Sequence, residues 1–494
     1  MNRQRYQLVF NRHRGMLMAV AETASAISGQ KLPTARGGAG MVAPASWKFC
    51  TLVLALALTW QSVAHAQILI DRNAPREEQA MVLKAANGVP VVNIRQPNAR
   101  GLSVNSYRQF DVDGRGVILN NAGGSSKTEL GGYIAGNPWM PGGGAQVIVN
   151  QVNSSHPSYL RGFIEVAGNQ AQVIIANPAG ITCAGCGFIN AQRATMTTGT
   201  PVIRQGNLES YRVNSGVISF EGLGLQANDT AYADVIARAV RVHAALRARQ
   251  IRLTTGLNTV SADHAQVTPG QSASDGAPVR AIDVAALGGM YAGHIYLTAT
   301  EHGVGVHNGG TLSATEGQLV VTAAGRLENT GTLAAHGDTR IAAAGAVTNS
   351  GVIGSDSTLR INAAALENAA SGRIGSVSGT SVQIGGTLRN AGSMVGDAGI
   401  TLAAAAMENA GSVVTPGALA LLSSQGALSV SDPASIRKLV IDNEGGRSDA
   451  PVPWPRRQRA VQVRWAHRPV PSSMRCCSLR TGRAVRRRSR ALIW

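Results

Sequence analysis

Sustained helical periodicity is missing from this sequence, and so is any apolar run long enough to cross a membrane. The most apolar stretch, "FCTLVLALALTW" (Phe49 to Trp60), is about a dozen residues long. A spanning helix needs roughly 20. Catalytic signatures are missing as well: there is no H-E-x-x-H, no G-x-S-x-G and no G-x-x-x-x-G-K-[ST]. "EGLGLQ" holds only fragments of a dinucleotide fingerprint, and "GNPWMPGGGA" is a glycine-rich loop without a phosphate-binding lysine. The ten histidines are scattered, with His302 and His307 the closest pair in the body and read as solvated loop residues. We therefore expect no catalytic, cofactor-binding or metal-binding residues, no cofactor and no enzymatic activity. Cysteine is scarce too, with five in 494 residues.

Net charge is missing where it would matter. The formal charge of +18 comes from the two ends. Residues 1–66 hold seven Lys or Arg against one Glu, and residues 447–494 hold thirteen Arg against one Asp. Residues 67–446 hold 25 basic and 25 acidic side chains. The body is neutral, so the high isoelectric point is no argument for a nucleic-acid partner.

What is present begins with a targeting segment. The apolar run follows Lys48 and precedes "SVAHA", with Ala64 and Ala66 at the small-residue positions of a signal-peptidase site. This order predicts cleavage between Ala66 and Gln67 and no transmembrane segment in the mature chain. A basic block, "MNRQRYQLVFNRHRG", extends the signal region far beyond ordinary secretory length.

The body alternates apolar and polar residues in strand-length runs closed by Gly, Asn or Pro: "GVPVVNI", "GVILNN", "AQVIVNQV", "AQVIIAN", "GQLVVTA". "AYADVIARAVRVHAALRARQIRL" also alternates, with Val240, Val242, Ile251 and Leu253 on one side and Arg241, His243 and Arg252 on the other. From about residue 304 a unit recurs: "VHNGGTL", "LENTGTL", "VTNSGVI", "LENAASGRI", "LRNAGSM", "MENAGSV". Its asparagines, Asn308, Asn329, Asn349, Asn368, Asn390 and Asn409, are spaced 21, 20, 19, 22 and 19 residues apart. A period near 20 without helical signal predicts a solenoid of β coils, each adding about 4.8 Å. The repeated Asn is placed to bond its own backbone and the equivalent Asn of the next coil. An open solenoid end exposes strand edges, so the non-repeating segment from about 67 to 230 is the candidate cap.

The stretches Asn87 to Asn121, Gly131 to Met140 and Tyr159 to Pro201, with "YADVIAR", resemble the secretion domain of two-partner secretion exoproteins. Filamentous haemagglutinins and contact-dependent inhibition proteins are prominent members. The resemblance implies an all-β fold, a right-handed parallel β-helix with an amino-terminal cap. It implies an extended signal peptide (1–66), a secretion or haemagglutination activity domain (67–300) and haemagglutinin-type repeats (301–430); composition sets apart an Arg/Pro-rich tail (431–494), expected to be disordered or frame-shifted. The resemblance also implies a cognate outer-membrane transporter, a β-barrel with periplasmic POTRA modules, and a final location outside the cell or on its surface. Two family motifs carry over as transporter-recognition candidates. The NPNL motif falls on Asn137, Pro138, Trp139 and Met140, departing at its last two positions. The NPNGI motif falls on Asn177, Pro178, Ala179, Gly180 and Ile181, departing at the third. Asn-Pro with a following Gly is a turn, but the lost third Asn puts any role of that side chain in doubt.

With an oxidising compartment implied, Cys183 and Cys186 are expected to form a disulfide bracing the NPAGI turn. A zinc site needs four ligands, and the secreted body has no other cysteine. A four-residue ring also passes a narrow pore with the chain otherwise extended. Low aromatic content suits a chain held unfolded before export, and burial of about 25 cal/mol per Å² as each coil stacks outside would disfavour backsliding. Arg238, Arg241, Arg247, Arg249 and Arg252 form the basic cluster of the body, read as a solvated strand face or, alternatively, as a patch for sulfated glycans. Residues 447–494 carry five Pro, three of the six Trp and adjacent Cys476 and Cys477, which reads as translation in a shifted frame, with a basic surface-binding tail as the alternative. The leading functional expectation is a filamentous-haemagglutinin-like adhesin, or its truncated fragment, acting on a host-cell glycan or receptor. The alternative is the amino-terminal part of a contact-dependent inhibition or haemolysin-type toxin, and a β-helical carbohydrate-active enzyme comes third.

Overall fold

The computed structural model describes residues 67–270 and 276–423, with short strands on either side. Residues Met1–Ala64 form a separate unit containing the antiparallel strands Tyr6–Asn11 and Met16–Ala21. Ala66, Cys50 and most of 431–494, including Cys476 and Cys477, lie outside the described residues, so the cleavage site and the tail reading are not addressed by the fold.

The body is a parallel β-solenoid whose coils run over three faces, here A, B and C. One coil of the repeat region shows the plan. Thr339–Asn349 covers face C and, after an irregularity between Ala343 and Ala346, face A. Val352–Ser355 covers face B, and Thr358–Asn368 begins the next coil. Neighbouring coils pair in parallel, so equivalent side chains stack in columns. On face B the inward column is Leu312, Leu333, Ile353, Ile374, Met394 and Val413. Face C contributes Val321, Ile341, Ile361, Val382 and Leu402, and face A contributes Val306, Leu327, Val347, Leu366, Leu388 and Met407. All are buried. Each coil thus adds about three large apolar side chains to the core, worth about 1.5–3 kcal/mol apiece against exposure.

The repeated asparagines form one continuous ladder. Asn308 Nδ2 donates to Asn329 Oδ1 at 2.8 Å, and the link recurs through Asn349, Asn368, Asn390 and Asn409 at 2.6–2.8 Å. Five of the six amides also reach a local carbonyl, as Asn329 does to Gly331 at 3.2 Å. The glycine after each Asn is required by close approach: a Cβ on Gly331 would sit 2.0 Å from the Gly310 carbonyl oxygen, and one on Gly351 2.0 Å from that of Gly331.

The amino-terminal end is closed by antiparallel strands. Ile68–Ile70 pairs with Leu102–Phe110, and Met81–Lys84 pairs with Pro90–Asn93. Beneath them Tyr107 and Phe110 are fully buried and meet edge to face at 4.9 Å. Two insertions leave the coils. The hairpin of Ser126–Thr128 and Gly132–Ile134 is held by the buried Glu165 carboxylate, which accepts from the Glu129 and Leu130 amides at 2.6 and 2.8 Å. A four-stranded antiparallel sheet (Thr200–Arg204, Asn207–Val213, Asn258–Ser261, Val267–Pro269) packs Tyr211, Val213 and Val260 with Leu102, Val149, Ile174 and Ile236 of face C. The alternation of "AYADVIARAVRVHAALRARQIRL" is seen as strands Tyr232–Ala237, Ala239–Val242 and Ala245–Thr255.

Candidate functional site

Both Asn-Pro motifs are corner turns built by one device. At the corner between faces B and C, Asn137 is buried and its Nδ2 donates to the carbonyls of Ile94 (2.8 Å) and Asn120 (2.9 Å). Its Oδ1 accepts the Trp139 amide at 3.0 Å, and the Met140 amide donates to the Asn137 carbonyl at 3.1 Å. At the corner between faces C and A, Asn177 is fully buried and its Nδ2 donates to the His156 carbonyl and to Ser158 Oγ, both at 2.9 Å. Its Oδ1 accepts the Ala179 amide at 2.9 Å, and the Gly180 amide donates to the Asn177 carbonyl at 3.0 Å. Pro138 and Pro178 fix φ at the second turn position, and Gly180 takes φ +120°. Ile181 then enters the core as the first residue of the face A strand.

The departures from the family pattern have a physical reading here. The third residue of each motif gives only its backbone amide to the turn. Trp139 uses its side chain elsewhere, lying under the Arg95 guanidinium at 4.1 Å from the ring centre, and Met140 is buried in the main core. The two motifs occupy different corners and face different elements, so they are two separate turns and not one pocket.

Cys183 and Cys186 are disulfide-bonded, with both residues fully buried in the main core. The ring closes the corner between faces A and B, from the end of Ile181–Cys183 to the start of Cys186–Ile189, and Gly185 takes φ +102° within it. The brace therefore falls on the corner after the NPAGI turn, not on that turn itself, because one short strand separates the two.

The five arginines are not one patch. Arg238 is buried, paired with Glu301 at 3.1 Å and bonded to the Gly276 carbonyl. Arg241 lies on face A opposite Asp283, Arg247 on face B and Arg252 on face C, so they girdle a coil instead of covering one face. Arg247 stands over Tyr291 and Arg252 over Tyr296, both at 5.7 Å, while Arg249 Nε donates to the Asn228 carbonyl at 3.2 Å. The periodicity of two put them outward, but the chain turned a corner between them. His307 is likewise engaged, with Nδ1 2.7 Å from Asp283 Oδ1, whereas His302 is exposed. Burial raises the Asp283 pKa, but bonds from His307 and Arg280 prevail and hold it below the usual carboxylate range.

Sequence reading missed a buried polar group under the extra sheet. Asp234 is fully buried, with Oδ2 bonded to Arg193 Nε and Oδ1 3.4 Å from His264 Nδ1. His264 sits at φ +60° with neither ring nitrogen hydrogen-bonded, its ring edge-on to Tyr211 at 5.8 Å. Burial, reinforced by the charges of Arg193 and Arg252, pushes the His264 pKa down to about 3. Burial also raises Asp234 and Tyr211, against the pull of Arg193. The residues lie on four separate strands and turns, so no local motif betrays them. Asp234, His264 and Tyr211 are buried where the extra sheet packs on face C, with Arg193 at the edge of the group. Among the described residues no three His, Cys, Asp or Glu side chains are grouped to hold a metal.

Comparison with known families accounts for this architecture. The model of the TPS secretion domain matches residues 66–329, more than half of the chain. The chain belongs to the two-partner secretion family. The Extended Signal Peptide of Type V secretion system matches residues 1–55, and the Haemagglutinin repeat matches 356–432. Toxin CdiA of Yersinia pestis is 46% identical over 343 residues, covering 68% of this chain and 10% of that protein. tRNA nuclease CdiA-2 of Burkholderia pseudomallei (strain 1026b) is 42% identical over 337 residues, covering 67% of this chain and 11% of that protein. The chain thus spans about a tenth of these curated relatives. The crystal structure of the filamentous hemagglutinin secretion domain superposes with a TM-score of 0.52 at 29% identity, covering 67% of this chain and 98% of that one. Extended signal peptide and TPS domain together imply Sec export, a partner outer-membrane transporter, and release to the cell surface or exterior.

Proposed function

We propose that this chain is the export-directing amino-terminal part of a contact-dependent inhibition type exoprotein. The observation that carries it is the 46% identity to toxin CdiA over 68% of this chain. This shifts the balance from the adhesin expectation to its alternative. The names of the relatives assign them toxin and tRNA nuclease activities; the 10% and 11% of those proteins that this chain spans is secretion domain and repeat, so its own contribution is transport and architecture. In the periplasm the unfolded chain would present Asn137–Met140 and Asn177–Ile181 to the POTRA modules of its β-barrel partner. Outside, the capped secretion domain starts the solenoid, and each repeat extends it.

The filamentous hemagglutinin likeness, at a TM-score of 0.52, keeps an adhesin as the second reading. In that case a host-cell receptor or glycan would be the target, engaged by a surface other than the five arginines. Secretion of the chain in cells with and without its partner transporter tests the shared step; release without the transporter sinks both readings. Growth competition against non-immune neighbours, run with the full-length exoprotein of which this chain is the proposed amino-terminal part, then separates them. Inhibition of the neighbours supports the toxin reading, whereas binding to host cells without inhibition supports the adhesin.

A further inference from the structure

We propose that the Cys183–Cys186 disulfide is made on the unfolded chain by a thiol–disulfide oxidoreductase before export, and that folding then seals it. Both cysteines are fully buried. The next coil forms the lid: the Glu221 amide donates to the Cys183 carbonyl at 2.8 Å, and the Gly185 amide to the Gly224 carbonyl at 3.0 Å. Cys183 Sγ lies 3.2 Å from that same Gly224 oxygen. Phe220 and Leu225, which flank the lid, are fully buried in the same core.

Thiol–disulfide exchange needs a sulfur to be approached along its S–S axis by an attacking thiolate. No enzyme can reach these sulfurs once residues 217–227 have stacked. In the unfolded chain one cysteine thiolate attacks the disulfide of the oxidoreductase, giving a mixed disulfide and releasing one enzyme thiolate. The second cysteine then attacks its partner's sulfur, the Cys183–Cys186 bond forms, and the enzyme leaves as a dithiol carrying the two electrons. An exposed four-residue ring is easily reduced again; stacking of the next coil makes it unreachable. The order is therefore oxidation first and coil closure second. This rests on the reading that the chain is unfolded in the periplasm, but its in vitro arm does not depend on secretion.

The test uses the full chain carrying Cys476→Ser and Cys477→Ser, so that thiols report on this pair after signal removal. Acid-quenched maleimide labelling of the periplasmic pool, in cells lacking the transporter, should find the disulfide already made. Cells lacking the periplasmic thiol oxidase should secrete chain with two thiols that label only in denaturant. Oxidation by oxidised glutathione of the same chain, purified in reduced form and refolded without oxidant, should be at least ~100-fold slower in native buffer than in denaturant, since reaction must wait for opening of a core coil. Thiols in the periplasm with disulfide outside, disulfide formed to the normal extent without the oxidase, or equal native and denatured rates would each overturn the proposal.

Discussion

From Gln67 to Ala299 the corners of the solenoid are built individually; from Gly305 to Asn409 one corner is built again and again. The first region turns on Asn137 with Pro138, on Asn177 with Pro178, and on a disulfide. The second turns on one Asn and one Gly per coil. Buried aromatics follow the same division. Tyr107, Phe110, Phe188, Tyr211 and Phe220 are buried in the first region, and no aromatic residue occurs from Leu297 to Pro453. A repeat adds stability in near-equal increments because each coil needs only its neighbour. The first coils have no preceding neighbour and must close an edge. Unique contacts that fix one structure belong there, and interchangeable ones belong downstream.

The largest effect should come from removing equivalent-looking asparagines from the two regions. Asn177→Ala deletes two donated bonds and one accepted bond at a fully buried site, leaving orphaned groups. A cost of ~3–5 kcal/mol is expected, spread over the whole secretion domain. Asn349→Ala breaks the ladder at both Asn329 and Asn368, yet the coils on each side keep their own neighbours. Its cost should be comparable in size but confined to adjoining coils. Hydrogen exchange separates the outcomes: protection lost throughout 67–300 for Asn177→Ala, and lost only near 329–368 for Asn349→Ala. Global loss in both would erase the distinction between the regions.

Mild acid, between about pH 6.5 and 4.5, should act next, through a buried histidine of the first region. His264 stays neutral when folded down to about pH 3, whereas the unfolded side chain takes up a proton below its ordinary value of 6.5. Stability from this depressed pKa is present above 6.5 and falls as pH drops toward 3, by on the order of 3–5 kcal/mol in total. Asp234 has the opposite sign, since its raised pKa favours the folded state at low pH, so the net loss should be clearest between about pH 6.5 and 4.5. His264→Asn keeps a side chain tolerant of φ +60° and removes the titration. Urea melts of wild type and variant from pH 7.5 to 4.5 should diverge as pH falls; parallel curves would mean the buried group does not control the sheet.

Opening the disulfide should cost less. Replacing both cysteines by serine removes roughly 2 kcal/mol of chain-entropy stabilisation for a four-residue ring, plus the cost of two buried hydroxyls. Secretion should persist, because the turns proposed to meet the transporter are formed by other residues. Secretion assays with thermal melts check both statements, and loss of export with an unchanged melt would assign the ring a recognition role.

Legibility in the sequence divided along the same line. The repeat was readable because one coil carries all its information locally: Asn308 to Asn409 recur at the spacing of a β coil, and the ladder bonds follow. The cap and the turns were readable through Asn-Pro and Gly chemistry. Arg238 to Arg252 misled because alternation says inward or outward but not which face, and two corners intervene. The disulfide was placed one corner early for the same reason. Asp234, Arg193 and His264 were invisible because tertiary packing brings together residues up to 71 positions apart, with no periodicity to mark them.

The smallest effect is the most discriminating about recognition. Ala179 and Trp139 stand where the family motifs have a third Asn, and each gives only its amide to the turn. Ala179→Asn should therefore leave stability within ~0.5 kcal/mol of wild type, as partly exposed substitutions away from special features do. Trp139→Asn forfeits the Arg95 stacking and should lose ~0.5–1 kcal/mol. If the transporter reads the turn backbone, both variants will be secreted at the wild-type rate. If it reads the third side chain, restoring Asn will change the rate at unchanged stability, and recognition must be moved from the turn to that residue. Pulse-chase secretion beside equilibrium unfolding measures the two quantities separately, so a recognition effect cannot be mistaken for a folding one.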